Sequence, residues 1–365
     1  MSKTKLIMSS AQQENKFKLG EVTVPSGIVM LIDFGLMDLW THDQPPLLLM
    51  NGVLSPSALQ SANEGCDFVI EGPDAERAGR AFDRQPHPLY LYDIPRHGIE
   101  ELKEAFQRKM QETGLQAKLK QLPQRVPPRT RVNHSLDHGK GAGEVFLHGI
   151  HVIAVGDVPN NKPLTVEAVK MDDSQWKDHW KEIMLVLQDN VETKSSRYIG
   201  HVAVDMARLM FCDVESAAHW HHEESIDGLA DFVFWGRDSQ RLVNKFSAPQ
   251  VDGSIYGFVD QPIDKIAKIA LEVQEHVELH HLVAATDFRP HSDHWRMLKA
   301  LSVCDTESGV MDLGTSKCCG FMTSWGDGFF PVHLDLSEDE QPTRIRIELA
   351  TEETLRGMKM VNRFS

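Results

Sequence analysis

The sequence predicts an α+β fold: two tandem copies of one β-rich module, with antiparallel sheets carrying helices on one face. The first observation behind this is a repeated opening. Gly20, Val22, Val24, Met30, Asp33 and Trp40 recur as Gly200, Val202, Val204, Met210, Asp213 and Trp220, each offset by 180. Those are six identities in 21 gap-free positions, where average composition gives about one or two. The second is a sharper block. Asp67, Phe68, Val69, Gly72, Asp74, Arg77 and Phe82 recur as Asp231, Phe232, Val233, Gly236, Asp238, Arg241 and Phe246, offset by 164. The third is that order is kept. Tyr90, Asp93 and Pro95 align with Tyr256, Asp260 and Pro262. His134, Asp137 and His138 align with His291, Asp293 and His294, and Gly156-Asp157 with Gly326-Asp327. Offsets drift because surface loops tolerate changes of length. The copies are read as residues 17–170 and 197–365, joined by a linker helix over 171–196.

Within each copy the patterns follow one order. Val22, Val24, Ile28, Met30 and Ile32 alternate around Pro25, Ser26 and Gly27, whose turn chemistry predicts a hairpin. The runs after Asp67 and Asp231 read as short buried strands. Ile99, Leu102, Phe106 and Met110 recur at helical spacing, as do Ile263, Ile266, Ala270 and Val273, and a proline precedes each helix (Pro95, Pro262). Lys118, Lys120, Arg125, Arg129 and Arg131 form a basic stretch, read as an exposed loop or a partner contact. Hairpins close the copies over Val145 to Val169 and Gly320 to Leu349. Trp176, Trp180, Ile183, Met184 and Leu187 fall on one face of the linker helix. There is no GxGxxG and no GxxxxGK[ST], which speaks against dinucleotide-binding and P-loop folds.

Composition narrows the function classes. Across 365 residues, 38 Lys and Arg against 53 Asp and Glu leave a net charge of −15. That opposes binding to nucleic acid or to an anionic membrane. The longest apolar stretch, Ile28 to Trp40, is broken by Asp33 and Asp38, and no run reaches the roughly 20 apolar residues that span a bilayer. The stretch from Met1 to Met8 has no apolar segment of signal-peptide length. The five cysteines are odd in number and include no CxxC, so the expectation is a reduced, cytoplasmic protein.

Two segments of the second copy carry a resemblance: Val202 to Asp213, and Thr323 to Val332 with Gly326, Asp327, Gly328 and Pro331. They resemble the opening strand pair and the closing Gly-Asp-Gly hairpin of the bacterial DUF4241-type family. Met206 and Ala207 stand where that pattern has Ser-Gly. The resemblance implies a fold and a bacterial origin, and it carries no assigned chemistry.

Several constellations could carry chemistry. His291, Asp293 and His294 place three ligand-type side chains within four residues, a set suited to one divalent metal, or else to capping a helix. Asp213 ends an apolar strand, and Asp327 sits between two glycines. Paired, these carboxylates could do acid/base work; separately, they read as a strand-end cap and a turn residue. Trp325, Asp327 and Arg289 are candidate ligand contacts. His219, His221, His222, Glu223 and Glu224 are ligand-rich but lack the HExxH spacing, so a solvated loop is the plainer reading.

The function expected from these residues is a non-enzymatic binding or interaction protein that takes a protein or small-molecule ligand. The alternatives are a metal-dependent hydrolase centred on the second copy and, by family analogy, a toxin-immunity factor.

Overall fold

A computed structural model describes residues 15–40, 65–82, 89–147 and 149–361. The segment Met1 to Met8, on which the expectation about export rests, lies outside the described residues. The chain divides into two compact units, residues 1–219 with 301–365, and residues 220–300.

The first half of the chain runs β1 (Lys16–Val22), β2 (Val29–Ile32), β3 (Cys66–Glu71), α1 (Ala75–Phe82), β4 (Tyr90–Ile94), α2 (Ile99–Thr113), β5 (Lys118–Gln121), α3 (Pro128–His138), β6 (Ala142–Leu147), β7 (Ile150–Val155), β8 (Leu164–Lys170) and β9 (Trp180–Val186). The second half runs β10 (Ser195–Val204), β11 (Arg208–Asp213), β12 (Leu229–Trp235), α4 (Ser239–Phe246), β13 (Gln250–Asp252), β14 (Ile255–Pro262), α5 (Ile263–Leu279), β15 (Ala285–Pro290), α6 (Asp293–Ser302), β16 (Ser308–Leu313), β17 (Ser316–Met322), β18 (Gly328–Leu336) and β19 (Pro342–Glu348). Helix α7 (Glu352–Val361) follows. Apart from the short β13, the order of strands and α-helices in the described part of the first half recurs in the second.

The larger unit holds two six-stranded antiparallel sheets. Their strand orders are β1-β8-β9-β19-β18-β10 and β16-β17-β11-β2-β7-β6. Both orders are palindromic: each strand of one half has its counterpart at the mirror position, with β9–β19 and β2–β11 as the central pairs. Backbone irregularities recur as well. The β1–β8 ladder shifts register between Lys18 and Gly20, and the β10–β18 ladder between Tyr198 and Gly200. The two sheets share one core. Val22, Val166, Ile183, Val332 and Ile347 of the first sheet pack with Leu31, Ile153, Phe211 and Phe321 of the second. Full burial of such side chains contributes about 1.5–3 kcal/mol each before chain entropy is counted.

A third sheet, β4-β3-β5, belongs to the same unit, and the 220–300 unit is built on a fourth, β13-β14-β12-β15. In the latter, Ala230, Phe232 and Phe234 alternate onto one face of β12 and meet Leu242 of α4 and Ile266, Ala270 and Val273 of α5. In the former, Ile70 of β3 packs on Ala78 of α1 and on Phe106 and Met110 of α2.

Three expectations are corrected. No linker helix forms over residues 171–196: residues 172–179 are bends and turns, residues 180–186 form strand β9, paired with β8 and β19, and β10 opens at Ser195. Ile183 to Val186 are all buried, so a strand covered on both faces shows no period-2 alternation. The turn at Pro25 to Gly27 does not close a hairpin: β1 pairs with β8 in one sheet, whereas β2 pairs with β11 and β7 in the other. Its counterpart between β10 and β11 crosses in the same way. The basic stretch is not a loose loop. Lys118 and Lys120 lie on β5, and Arg131 is buried.

All five cysteines are free. Cys66, Cys212, Cys318 and Cys319 are buried, and Cys304 is exposed. Among the described residues no helix is long and apolar enough to cross a membrane.

Candidate functional site

The site candidates fall in two separate units, Asp213, Trp325 and Asp327 in the larger one and Arg289, His291, Asp293 and His294 in residues 220–300.

Asp213 is buried at the end of β11. Its Oδ1 accepts from the amides of Glu215 (2.9 Å) and Ser216 (3.0 Å), and its Oδ2 from the amide of Ser26 (2.8 Å). Both carboxylate oxygens are thus engaged by backbone amides in capping the turns around them. Asp327 is exposed, and its Oδ1 accepts from the amide of Ala207 (2.9 Å). Gly326 has φ +79°, which suits glycine at this turn. Trp325 is buried, and its indole nitrogen donates to the Trp180 carbonyl (2.7 Å). Both residues border a cleft of about 290 Å³, together with the exposed Phe329 and with Thr351 and Glu353 near the start of α7.

In the 220–300 unit the sequence-predicted metal set separates. Asp293 starts α6, and its Oδ2 accepts from the amide of His221 (2.9 Å), while its own amide donates to the His221 carbonyl (2.9 Å). His294 stacks on His222, ring centroids 4.2 Å apart and 12° from parallel. His291 faces the carboxylates of Asp227, Asp231 and Asp260. It follows β15, whereas Ser292 and Asp293 already turn into the helix, so three near neighbours in sequence point to three different surroundings.

Around His291 the fold brings in residues far away in sequence. Nδ1 lies 2.9 Å from Asp227 Oδ2, and Nε2 lies 3.2 Å from Asp231 Oδ1 and 3.6 Å from Asp260 Oδ1. Asp231, on β12, is buried, and its Oδ1 also accepts from the Asp260 amide (2.7 Å). Asp260, on β14, holds a left-handed φ of +51° and leaves its side chain exposed. One ligand atom from each of Asp231, Asp260 and His291 lies within 4.8 Å of the others. Burial works against charge on His291, but the bonds to Asp227 and Asp231 outweigh it and raise its pKa above the ordinary histidine value. The bond to His291 in turn pulls the Asp227 carboxyl down.

The first half contains the same acid pair with different partners. Asp67 is buried on β3, and its Oδ1 accepts from the amide of Asp93 (2.9 Å), which has φ +57°. Here arginines fill the place of the histidine. Arg131 grips both oxygens of Asp93 (2.6 and 3.0 Å) and lies 3.6 Å from Asp67, and Arg125 pairs with Asp93. Asp67 and Asp231, and Asp93 and Asp260, stand in register in the repeat blocks, so that alignment held the signal for two residues missing from the predicted metal set. His134, aligned with His291 in sequence, lies inside α3 and stacks on Tyr90.

Beside this group is a smaller cleft of about 180 Å³. Arg289, Trp295, Phe288, His222, His294 and Glu223 are among its lining residues. The Arg289 guanidinium lies 4.6 Å from the centre of the Trp295 ring and bonds Asp287. Burial raises the Glu223 carboxyl above its ordinary value.

Comparisons with protein families, curated proteins and solved structures find no match to this chain.

Proposed function

We propose that the protein is a non-enzymatic binding protein derived from a tandem duplication, with its ligand-contacting face in residues 220–300. The observation that carries this reading is the use made of Asp213: one of the two carboxylates the sequence offers for acid/base work spends both oxygens on three backbone amides. Against that, the 220–300 unit offers a lined cleft in which a guanidinium stacked on an indole can hold a carboxylate or a flat polar group of a small molecule or peptide. The duplication is supported by the recurring element order, the matching ladder shifts and the palindromic sheets. The resemblance to the DUF4241-type family remains part of this reading and adds no chemistry to it.

A panel of ester, phosphoester, peptide and amide substrates tests the reading. The expected result is no turnover above the level of the Asp327→Ala variant. Turnover lost in that variant contradicts it.

A second reading, a metal-dependent hydrolase, is favoured by one observation, the convergence of Asp231, Asp260 and His291. Turnover that needs added metal and survives Asp327→Ala would select it.

A further inference from the structure

We propose that Asp231, Asp260 and His291 form a binding site for one first-row divalent cation of the Zn²⁺ or Mn²⁺ class, with Asp227 as the carboxylate that orients the histidine. The inference stands whether the protein binds or hydrolyses its ligand.

Geometry comes first. Ligand atoms about 2.0–2.2 Å from a shared tetrahedral ion stand about 3.3–3.6 Å from one another. Nε2 of His291 lies 3.2 Å from Asp231 Oδ1 and 3.6 Å from Asp260 Oδ1. The ligand set of one imidazole and two carboxylates suits zinc or manganese better than calcium, which takes six to eight oxygens.

The far side of the ring is held as well. Asp227 accepts at Nδ1, 2.9 Å away, so a neutral ring carries its proton there and presents a lone pair from Nε2. That lone pair faces two carboxylate oxygens, and either a proton on Nε2 or a cation held between the three atoms relieves the repulsion. Metal-ligating histidines commonly have a carboxylate on the other nitrogen, which is the place Asp227 takes.

In the first half the corresponding acid pair, Asp67 and Asp93, is neutralised by the guanidiniums of Arg125 and Arg131. The fold therefore supplies fixed positive charge at this position in one half. In the second half three carboxylates surround a single imidazole, so even a protonated ring leaves two negative charges uncompensated. A divalent ion on a neutral ring leaves one.

The test uses the full chain, stripped with chelator and dialysed against Zn²⁺ or Mn²⁺, with bound metal counted by elemental analysis and stability followed by thermal melting. Wild type is expected to hold about one equivalent and to melt higher with metal than without. Losing an orienting partner commonly costs about 10–100-fold in metal affinity, so Asp227→Asn is expected in that range and Asp260→Ala, which removes a direct ligand from an exposed side chain, at its top or beyond. His291→Arg copies the arrangement of the first half. It is expected to fold, to melt without metal at least as high as wild type, and to bind none at this site. Absence of stoichiometric metal in wild type, or equal binding by wild type, Asp260→Ala and His291→Arg, overturns the proposal.

Discussion

Asp33 and Asp213 hold each other's turns. Asp33 Oδ2 accepts from the amides of Asp205 (2.9 Å) and Met206 (2.8 Å), in the turn between β10 and β11, while Asp213 Oδ2 accepts from the amide of Ser26 (2.8 Å), in the turn between β1 and β2. With its second oxygen each caps the short turn that follows its own strand, Asp33 through the Gly35 amide and Asp213 through those of Glu215 and Ser216. The strands they end, β2 and β11, are the central pair of their sheet. The two halves are thus joined by reciprocal side-chain bonds as well as by a backbone ladder.

This exchange predicts a large, local stability loss. Asp213→Ala leaves three amides without their acceptor, and hydrogen bonds to charged groups contribute about 1.5–3 kcal/mol each when buried, with strong non-additivity. A total loss of about 3 kcal/mol is expected in urea unfolding, with Asp205→Ala, an exposed side chain in the locked turn, near neutral. Equal midpoints for Asp213→Ala and wild type contradict the assignment.

The arginine cluster of the first half makes a second prediction. Arg131 is buried, grips Asp93 with two nitrogens and lies over the Tyr92 ring, 4.5 Å from its centre. Removing one partner of a buried ion pair costs about 3–5 kcal/mol. Arg131→Met is expected to lose close to the lower figure, because Arg125 still pairs with Asp93. Denaturant titration checks this.

The third prediction concerns pH. Burial holds the His134 pKa below the ordinary histidine value, and its Nδ1 faces the Tyr92 hydroxyl at 3.2 Å. The folded chain therefore takes up this proton less readily than the unfolded chain. The stability His134 contributes is complete above the unfolded value of about 6.5 and is lost as pH falls below it. The melting temperature should drop between pH 7 and pH 5, and by less in His134→Gln. An equal drop in both proteins rules His134 out as the source.

A fourth prediction compares matched glycines. Gly72 and Gly236 both have left-handed φ, +131° and +118°. A Cβ at Gly72 would stand 2.6 Å from the Gln116 carbonyl oxygen, and at Gly236 3.0 Å from that of Val283. Alanine at an incompatible φ destabilises by more than about 1 kcal/mol. Both alanine variants should exceed that, with Gly72→Ala the worse.

Much of this fold was legible in local pattern. Ile99 to Met110 and Ile263 to Val273 form the helices their spacing predicts, and Leu334 pairs with Ile345 in the closing hairpin. The misreadings share a cause. Strand β9 lies in the middle of a sheet, where burial on both faces erases alternation and lets tryptophan spacing imitate a helix. Pro25 to Gly27 carry turn residues, but turn chemistry does not say whether the next strand stays in its sheet. At the site, His291 was visible as a ligand type, whereas Asp231 and Asp260 join it only through the pairing of β12 with β14 and β15. Arg125 and Arg131 read as surface charge because their acidic partners lie 32 to 64 residues earlier in the chain.

The cation site is tested most directly by anomalous diffraction from crystals grown with Mn²⁺ or Zn²⁺, recorded at the metal edge. The result expected is one strong peak about 2.0–2.2 Å from Asp231 Oδ1, Asp260 Oδ1 and His291 Nε2, with Asp227 still on Nδ1. A map with no peak there at saturating metal, or with His291 turned away from Asp231, contradicts it.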